Sequence, residues 1–286
     1  MKYIVTGGAG FIGSHLVDAL IALNHDVVVL DNLLSGKLEN VNERATFINI
    51  DIRDLNSMID YFDDTVNGVF HLAAIARTPW CIDDPVLCYE TNVLGSLNVL
   101  ECCRRKRIER VVLTSSNVIY AAWTPYKSSK EAMESLALVY KDMYGLSTMC
   151  LRNSNVYGTR QSLEGPSPNV FAELKKCKLD KGYIEITGDG TQSRDFTHVQ
   201  DIVIGHISAM KSSNVCGVVD LCTGKNTDLN TVATYFDCPI VYVPERHGDI
   251  KHIYQDASDA ENKLNWKAVI PLEIGIADVF VDCVGA

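Results

Sequence analysis

Through the first half of the chain, short runs of consecutive apolar residues alternate with longer stretches whose apolar residues recur every three to four positions. The runs fall at 2–6, 26–31, 45–50, 67–72, 109–115 and 147–152, and the helical stretches at 11–24, 54–64, 85–104 and 126–144. A strand that is apolar at nearly every position has to be covered on both faces. Strands separated by helices meet that need in a parallel sheet with helices above and below. The pattern predicts an α/β fold built on a doubly wound parallel sheet.

After Arg152 the rhythm changes. A stretch with Gly and Pro at 158–168 leads to a helix at 169–178, a strand at 183–187 and the turn sequence GDGTQ. A helix at 199–211, a strand at 217–222, a short helix at 228–236, a strand at 240–243 and a helical C-terminal region follow. This predicts a first domain over 1–152. Residues 153–286 form mainly a smaller C-terminal substrate-binding lobe, with elements near 199–222 returning to the first sheet. No internal repeat and no low-complexity segment interrupts the chain.

Composition narrows the function classes. The 286 residues, 47% hydrophobic and 22% charged, suit a globular protein with a substantial core. A formal net charge of −10 excludes an ordinary nucleic-acid binder, which needs a basic face. The RRKR run at 104–107 ends a helix and reads as a cluster facing its C-terminal dipole and solvent. The ten cysteines lack paired ligand spacing, so no metal is expected, and they read as small apolar packing groups. That many thiols behind an N-terminus that is a strand, not a leader, point to a reducing, cytoplasmic compartment. No apolar run approaches the ~20 residues of a membrane span.

TGGAGFIGSHL joins the first strand to the first helix and spaces Gly7, Gly10 and Gly13 three apart. One glycine permits the tight turn, one lets backbone N–H groups approach a pyrophosphate at the helix N-terminus, and one lets the helix pack closely on the sheet. Gly7, Gly10, Phe11, Ile12 and Gly13 are therefore candidate dinucleotide contacts, and the sheet is of the Rossmann type. Asp31 ends the second strand, where a carboxylate reaches an adenosine ribose and repels a 2′-phosphate, so NAD is favoured over NADP. Asn32 and Ser35 are placed to add ribose or phosphate contacts. Asp51 and Ile52, past the third strand, lie at the adenine edge. Leu72, Ala73 and Ala74, past the fourth, supply small groups where the cofactor crosses the sheet.

Thr124 and Pro125 suit an N-cap and a first helical position. Tyr126 and Lys130, four apart, then share one side of the first turn. An ammonium beside a phenol favours the phenolate, and a phenol so tuned can take a proton from a hydroxyl. Ser115 and Ser116 end the preceding strand. His71 reads as packing or cofactor lining. ARTPWCIDDP at 76–85 can line a ligand pocket, with Trp80 as a stacking platform or a plain loop anchor.

TGGAGFIG, DNLLSG, HLAA, TNVLGSLNVLE, the Ser-Ser strand end, PYKSSK, NVYGTRQ, GDGTQSRDF and RHGD occur in this order over nearly the whole chain. Together they resemble the extended short-chain dehydrogenase/reductases of the NAD-dependent sugar-nucleotide epimerase/dehydratase family. The resemblance implies Tyr126 as catalytic base, Lys130 on the nicotinamide ribose, Ser116 on the reacting hydroxyl, and Ser115 and Asn92 beside the cofactor. It implies Asn155, Arg194 and Arg246 at the substrate diphosphate and Asp249 on a nucleotide ribose. It also implies a homodimer through a four-helix bundle built from the helices near 85–104 and 126–144.

Family members that dehydrate the sugar carry Asp-Glu directly after the serine or threonine, and decarboxylating relatives keep the glutamate. Asn117 and Val118 stand there in this chain and cannot do acid–base work. The reaction left by the resemblance is 4-epimerisation through a 4-keto sugar, on a UDP-hexose or UDP-N-acetylhexosamine. A net 4-keto oxidoreductase and a non-catalytic NAD sensor remain the alternatives. Asn153 and Ser154 replace two aromatics of the family pattern near the sugar. The ten positions from Ser116 to Tyr126 are fewer than relatives use, which predicts a more open pocket.

Overall fold

The computed structural model describes residues 1–162, 169–245 and 251–281. Its strands are β1 (Lys2–Thr6), β2 (Asp26–Asp31), β3 (Thr46–Asn49), β4 (Val66–His71), β5 (Arg110–Ser116), β6 (Ser147–Asn153), β7 (Asn155–Tyr157), β8 (Ile184–Thr187), β9 (Ser193–His198), β10 (Gly217–Leu221), β11 (Asn226–Asp228) and β12 (Ile240–Val243). Seven of them form one sheet in the order β10-β6-β5-β4-β1-β2-β3, and every pair is parallel. The chain works outward from β1 to β3, then returns to β4 on the other side of β1. The C-terminal ends of β1 and β4 thus flank the switch point, where ligands bind in open α/β sheets.

Side-chain alternation along β1 explains the two covered faces. Tyr3 and Val5 pack with Leu16, Leu20, Ile202 and Val203, from the helices Phe11–Ala22 and Val199–Lys211. Ile4 packs on the opposite side with Val99, Leu100, Met133 and Ala137, from the helices Gly95–Lys106 and Pro125–Tyr144. A third core joins Tyr157, Phe171, Ile184, Phe196 and Phe236 in the smaller lobe. There β9 pairs in parallel with β7 and antiparallel with β11, while β8 pairs in parallel with β12.

The helix carrying Tyr126 is well specified locally. The Thr124 side chain accepts from the Lys127 N–H at 3.2 Å, Pro125 takes the first turn, and Gly145 closes the helix with φ +71. Two predicted helices differ from expectation. Residues 54–64 hold only the short turns Leu55–Met58 and Ile59–Tyr61, and the stretch from 85 is interrupted by a π-turn at Glu90–Leu94. β9 was missed because its buried positions are polar, Ser193, Asp195, Thr197 and His198 among them. No described helix is long and apolar enough to cross a membrane.

Candidate active site

At the switch point the three glycines serve three purposes. Gly7 leaves β1 at φ +72, and a β-carbon there would lie 2.6 Å from the Ala73 nitrogen. A β-carbon on Gly13 would collide with the Gly7 carbonyl oxygen. One on Gly10 would meet only that oxygen within 4 Å, at 3.2 Å, so the absent side chain leaves room beside the helix N-terminus. Gly10 is the N-cap and offers no side-chain cap. The N–H groups of Phe11, Ile12 and Gly13 belong to the first turn, which has no intrahelical acceptors. This is a cradle for an anionic group.

Asp31 is 8% exposed. Its carboxylate accepts from the Ala9 N–H at 3.0 Å and the Leu33 N–H at 2.8 Å. One bond per oxygen leaves lone pairs for two ribose hydroxyls. Burial raises its pKa, and the two N–H bonds oppose that rise. Asn32 and Ser35 are exposed. Asn32 donates to Asp51 at 3.0 Å, and Arg53 holds the Asp51 carboxyl down to about 2. Ile52 is buried beneath Gly95. Leu72, Ala73 and Ala74 are half-buried at the end of β4, with the Leu72 N–H bonded to the Thr6 carbonyl at 3.0 Å. Donor set and shape both fit a dinucleotide with a free 2′-hydroxyl.

Ser116 and Tyr126 meet beyond β5. The Ser116 hydroxyl oxygen accepts from the Val118 N–H at 3.2 Å, which leaves its own proton free, and the Ser116 side chain works to lower the Tyr126 pKa. Burial pushes the Tyr126 phenol up to about 12, while the Ser116 bond and the Arg77 charge pull it back. Lys130, 4% exposed, is pushed down to about 8 by burial and donates to the Thr114 carbonyl at 2.8 Å. The Arg77 charge therefore acts on Tyr126 in the direction that the sequence reading expected of Lys130.

Two side chains expected at the cofactor are committed within the protein. Ser115 donates to Glu134 at 2.6 Å because strand alternation turns it away from Ser116. Asn92, in the π-turn and 1% exposed, accepts from the Ile75 N–H at 2.8 Å. It donates to the Ile75 carbonyl and to Ser129, each at 3.0 Å. It braces the β4 loop against the helix carrying Tyr126, and does not reach out of it.

In the smaller lobe, Asn155 accepts from Asn117 at 2.7 Å. Arg194 donates to the Ser193 and Lys251 carbonyls at 2.8 and 3.1 Å. Arg246 and Asp249 lie outside the described residues. Asn153 pairs in register with Ser116 across the β5–β6 ladder, and its buried amide has no hydrogen-bond partner among the described residues. Ser154 donates to Thr197 at 2.6 Å.

Two features escaped the sequence reading. Arg77 lies between Ile75 and Cys81, both packed with Tyr126 in one cluster that Trp80 and Val118 border. A single cation just after the small residues that follow β4 was the available signal. The second is a chain of bonds around the catalytic helix. Arg152 donates to Glu134 at 2.9 and 2.7 Å and to the Tyr120 hydroxyl at 2.9 Å, and Tyr120 donates to Asp220 at 2.9 Å. No local pattern announces it, because β5, β6 and β10 become neighbours only in the folded sheet.

The chain has close relatives. The sequence model of the NAD dependent epimerase/dehydratase family matches residues 3–219. A Methanocaldococcus jannaschii protein assigned as a UDP-glucose 4-epimerase is 37% identical, over 96% of each chain. The structure of Thermotoga maritima UDP-glucose 4-epimerase with UDP-glucose superposes with a TM-score of 0.92 at 33% identity, over 98% of this chain and 97% of that one. Thermus thermophilus UDP-glucose 4-epimerase in complex with NAD gives 0.89 at 32% identity over the full length of both.

Proposed function

The chain belongs to the NAD dependent epimerase/dehydratase family, and within it we propose that this protein is a nucleotide-sugar 4-epimerase acting on a UDP-hexose or UDP-N-acetylhexosamine. The observation that carries the reading is the burial of Tyr126 and Lys130 one turn apart on one helix, next to the Ser116 end of β5, with only Asn117 and Val118 where a dehydratase needs acids. Such a set can move one proton at one hydroxyl and nothing more.

NAD, when bound, supplies reversible hydride exchange at C4 of the sugar. Gly7, Gly10 and Gly13 with the N–H groups of Phe11 and Ile12 hold its pyrophosphate, and Asp31 its adenosine ribose. Asn32, Ser35, Asp51 and Ile52 border the adenosine end. Leu72, Ala73 and Ala74 line its path, and Lys130 steadies the nicotinamide ribose. Tyr126 takes the proton from the 4-hydroxyl, with Ser116 holding that oxygen. The 4-keto sugar turns in the pocket, and Tyr126 returns the proton to the oxygen in its new orientation. Asn155, Arg194 and Arg246 orient the diphosphate, where fork-like guanidinium donors suit paired phosphate oxygens. Asp249 accepts from the nucleotide ribose. Residues 1–152 thus carry the cofactor and 153–286 mainly the substrate.

We also propose a homodimer through the helices Gly95–Lys106 and Pro125–Tyr144. Leu138, Val139, Met143 and Tyr144 are exposed on the second of these, which supports an apolar partner surface there. The test of function is proton NMR of the purified protein with UDP-, dTDP- and GDP-sugars, beside Tyr126→Phe. A positioned acid–base group contributes roughly 10²–10⁴-fold, so the variant should lose at least about a hundredfold in turnover while still binding NAD. Undiminished turnover by the variant sinks the base assignment. A steady change in NADH absorbance with turnover favours the oxidoreductase instead.

A further inference from the structure

Asn117 follows Ser116 directly and opens the tight turn Asn117–Tyr120. That turn is tied at both ends. The Ser116 hydroxyl oxygen accepts from the Val118 N–H at 3.2 Å. At the far end the Tyr120 hydroxyl accepts from Arg152 and donates to Asp220, each at 2.9 Å. Asn155 opens β7 and pairs in register with Phe196 of β9. Both backbones are therefore held, one beyond the large sheet and one at the entry to the smaller lobe. Between them the Asn117 Nδ2 donates to the Asn155 Oδ1 at 2.7 Å.

A side-chain amide carries one acceptor oxygen and an NH2 group with two donors. The bond from Asn117 takes up the Asn155 oxygen and turns its NH2 group the other way. Among the described residues that NH2 group has no acceptor, and it is not enclosed. Asn155 thus presents donors outward, which suit the oxygens of an anion. The reverse orientation would present a carbonyl lone pair and repel the same anion. No other side-chain bond of Asn155 decides between the two orientations among the described residues, so the choice falls to Asn117.

We propose that Asn117 is a positioning residue that fixes the Asn155 amide with its donors toward the substrate diphosphate. This rests on the 4-epimerase reading and deepens its diphosphate site. Asn117 touches no reacting atom and acts through Asn155. Because it is the chain neighbour of Ser116, the same bond sets the spacing between the diphosphate and the hydroxyl that reacts. A residue at 117 that can only accept reverses the amide. Asn117→Asp, equal in size, compels Asn155 to donate inward and to turn its oxygen on the diphosphate. Asn117→Leu, neutral and similar in size, leaves the amide unpinned.

The experiment measures dissociation constants of UDP and of uridine, which lacks the diphosphate, by NMR titration of the NAD-loaded protein. The proteins are the wild type, Asn117→Leu, Asn117→Asp, Asn155→Ala and both Asn117 substitutions in the Asn155→Ala background. Asn117→Leu should weaken UDP about tenfold, the order of one hydrogen bond to a charged group. Asn117→Asp should weaken it more, and both should leave uridine within about threefold of the wild type. With UDP-glucose and UDP-N-acetylglucosamine the loss should fall in KM rather than in kcat. In the Asn155→Ala background Asn117→Leu should cost nothing further, because the amide that it orients is gone. Asn117→Asp covers the case in which Asn117→Leu fails to fold, and its cost too should shrink in that background. Effects that add across the two positions overturn the proposal. So does an equal loss of UDP and uridine, which would make Asn117 a packing residue. A wild type that binds UDP with the predicted coupling but turns over no nucleotide sugar overturns the 4-epimerase reading alone.

Discussion

Lowering the pH from 7 to 5 should destabilise this protein through two buried imidazoles, His71 and His206. His71, 2% exposed at the end of β4, lies 2.7 Å from the Thr6 hydroxyl through Nδ1 and 2.9 Å from the Ser96 hydroxyl through Nε2. Ser96 gives its proton to the Asn92 carbonyl at 2.6 Å, so it has to accept from Nε2–H. Nδ1 is then the bare nitrogen and accepts from Thr6. Every polar atom is satisfied with the ring neutral. Burial pushes His71 down to about 3, and His206 down to about 4, against ~6.5 in an unfolded chain. At pH 5 the unfolded state binds a proton on each ring that the native state refuses, so stability falls as pH drops below about 6.5. The depth at pH 5 is about 1.5 pH units for each ring, or about 2 kcal/mol, and about 4 kcal/mol for both. Carboxyls held down to about 2, Asp51, Asp63 and Glu101, lose their contribution mainly below about pH 4.5, near the unfolded carboxyl values, and the buried Asp31, Asp195 and Asp220, whose pKa values are raised, act in the opposite sense, so the share of His71 is read from the difference between wild type and variant. The assay is urea unfolding at fixed ionic strength across the window, in the wild type and in His71→Gln, which keeps a donor and an acceptor. The variant should lose about 2 kcal/mol of the pH-dependent part, one proton's share. An unchanged pH dependence in the variant refutes the reasoning. So does an imidazole C2 proton of His71 that titrates above pH 5 in the folded protein.

Two further substitutions test the scaffold. Gly13→Ala drives a methyl group into the Gly7 carbonyl; at roughly 1–3 kcal/mol for overpacking, NAD affinity by calorimetry should fall about tenfold or more, and unchanged affinity would show that the helix can shift. Glu134→Gln removes the carboxylate that Arg152 clasps at 2.7 Å. With Glu134 6% exposed, the uncompensated guanidinium should cost roughly 3 kcal/mol in urea unfolding, and a loss near zero would mean that Tyr120 and solvent suffice.

What the sequence made legible follows from where its physics is local. Continuous apolar strands, the glycine turn, the Thr124 cap and the Tyr126–Lys130 spacing are each written within one turn or one strand, and each is found at its place in the structure. β7 and β11 have three residues each, too few to show a period, and β9 hides because polar groups fill its buried side. The hydrogen bonds of Ser115 and Asn92 were illegible for a related reason. Both stand beside cofactor-lining residues in sequence, but alternation and the π-turn aim them into the protein. The approach of the Arg77 segment to Tyr126, 49 residues further along the chain, was invisible until β4 and β5 were known to be neighbours in the sheet.

The link from Ser116 to Tyr126 joins these levels. Its brevity predicted an open pocket, and the structure shows how so short a segment still delivers both groups. Residues Asn117–Tyr120 wind into a single tight turn whose Val118 N–H is met by the Ser116 side chain. Tyr120 is then pinned between Arg152 and Asp220, on the two neighbouring strands β6 and β10. The remaining residues cross to the Thr124 cap with Trp123 76% exposed, its ring 4.5 Å from the Lys127 ammonium. The wall that a longer loop would build is replaced by a clasp at the foot of the link. The clasp fixes where Ser116 and Tyr126 meet, while the tip at Trp123 stands out in solvent. The anchoring of the link and the exposure of its tip are thus set by different residues, so substitution of Trp123 should leave the Tyr120 bonds to Arg152 and Asp220 in place.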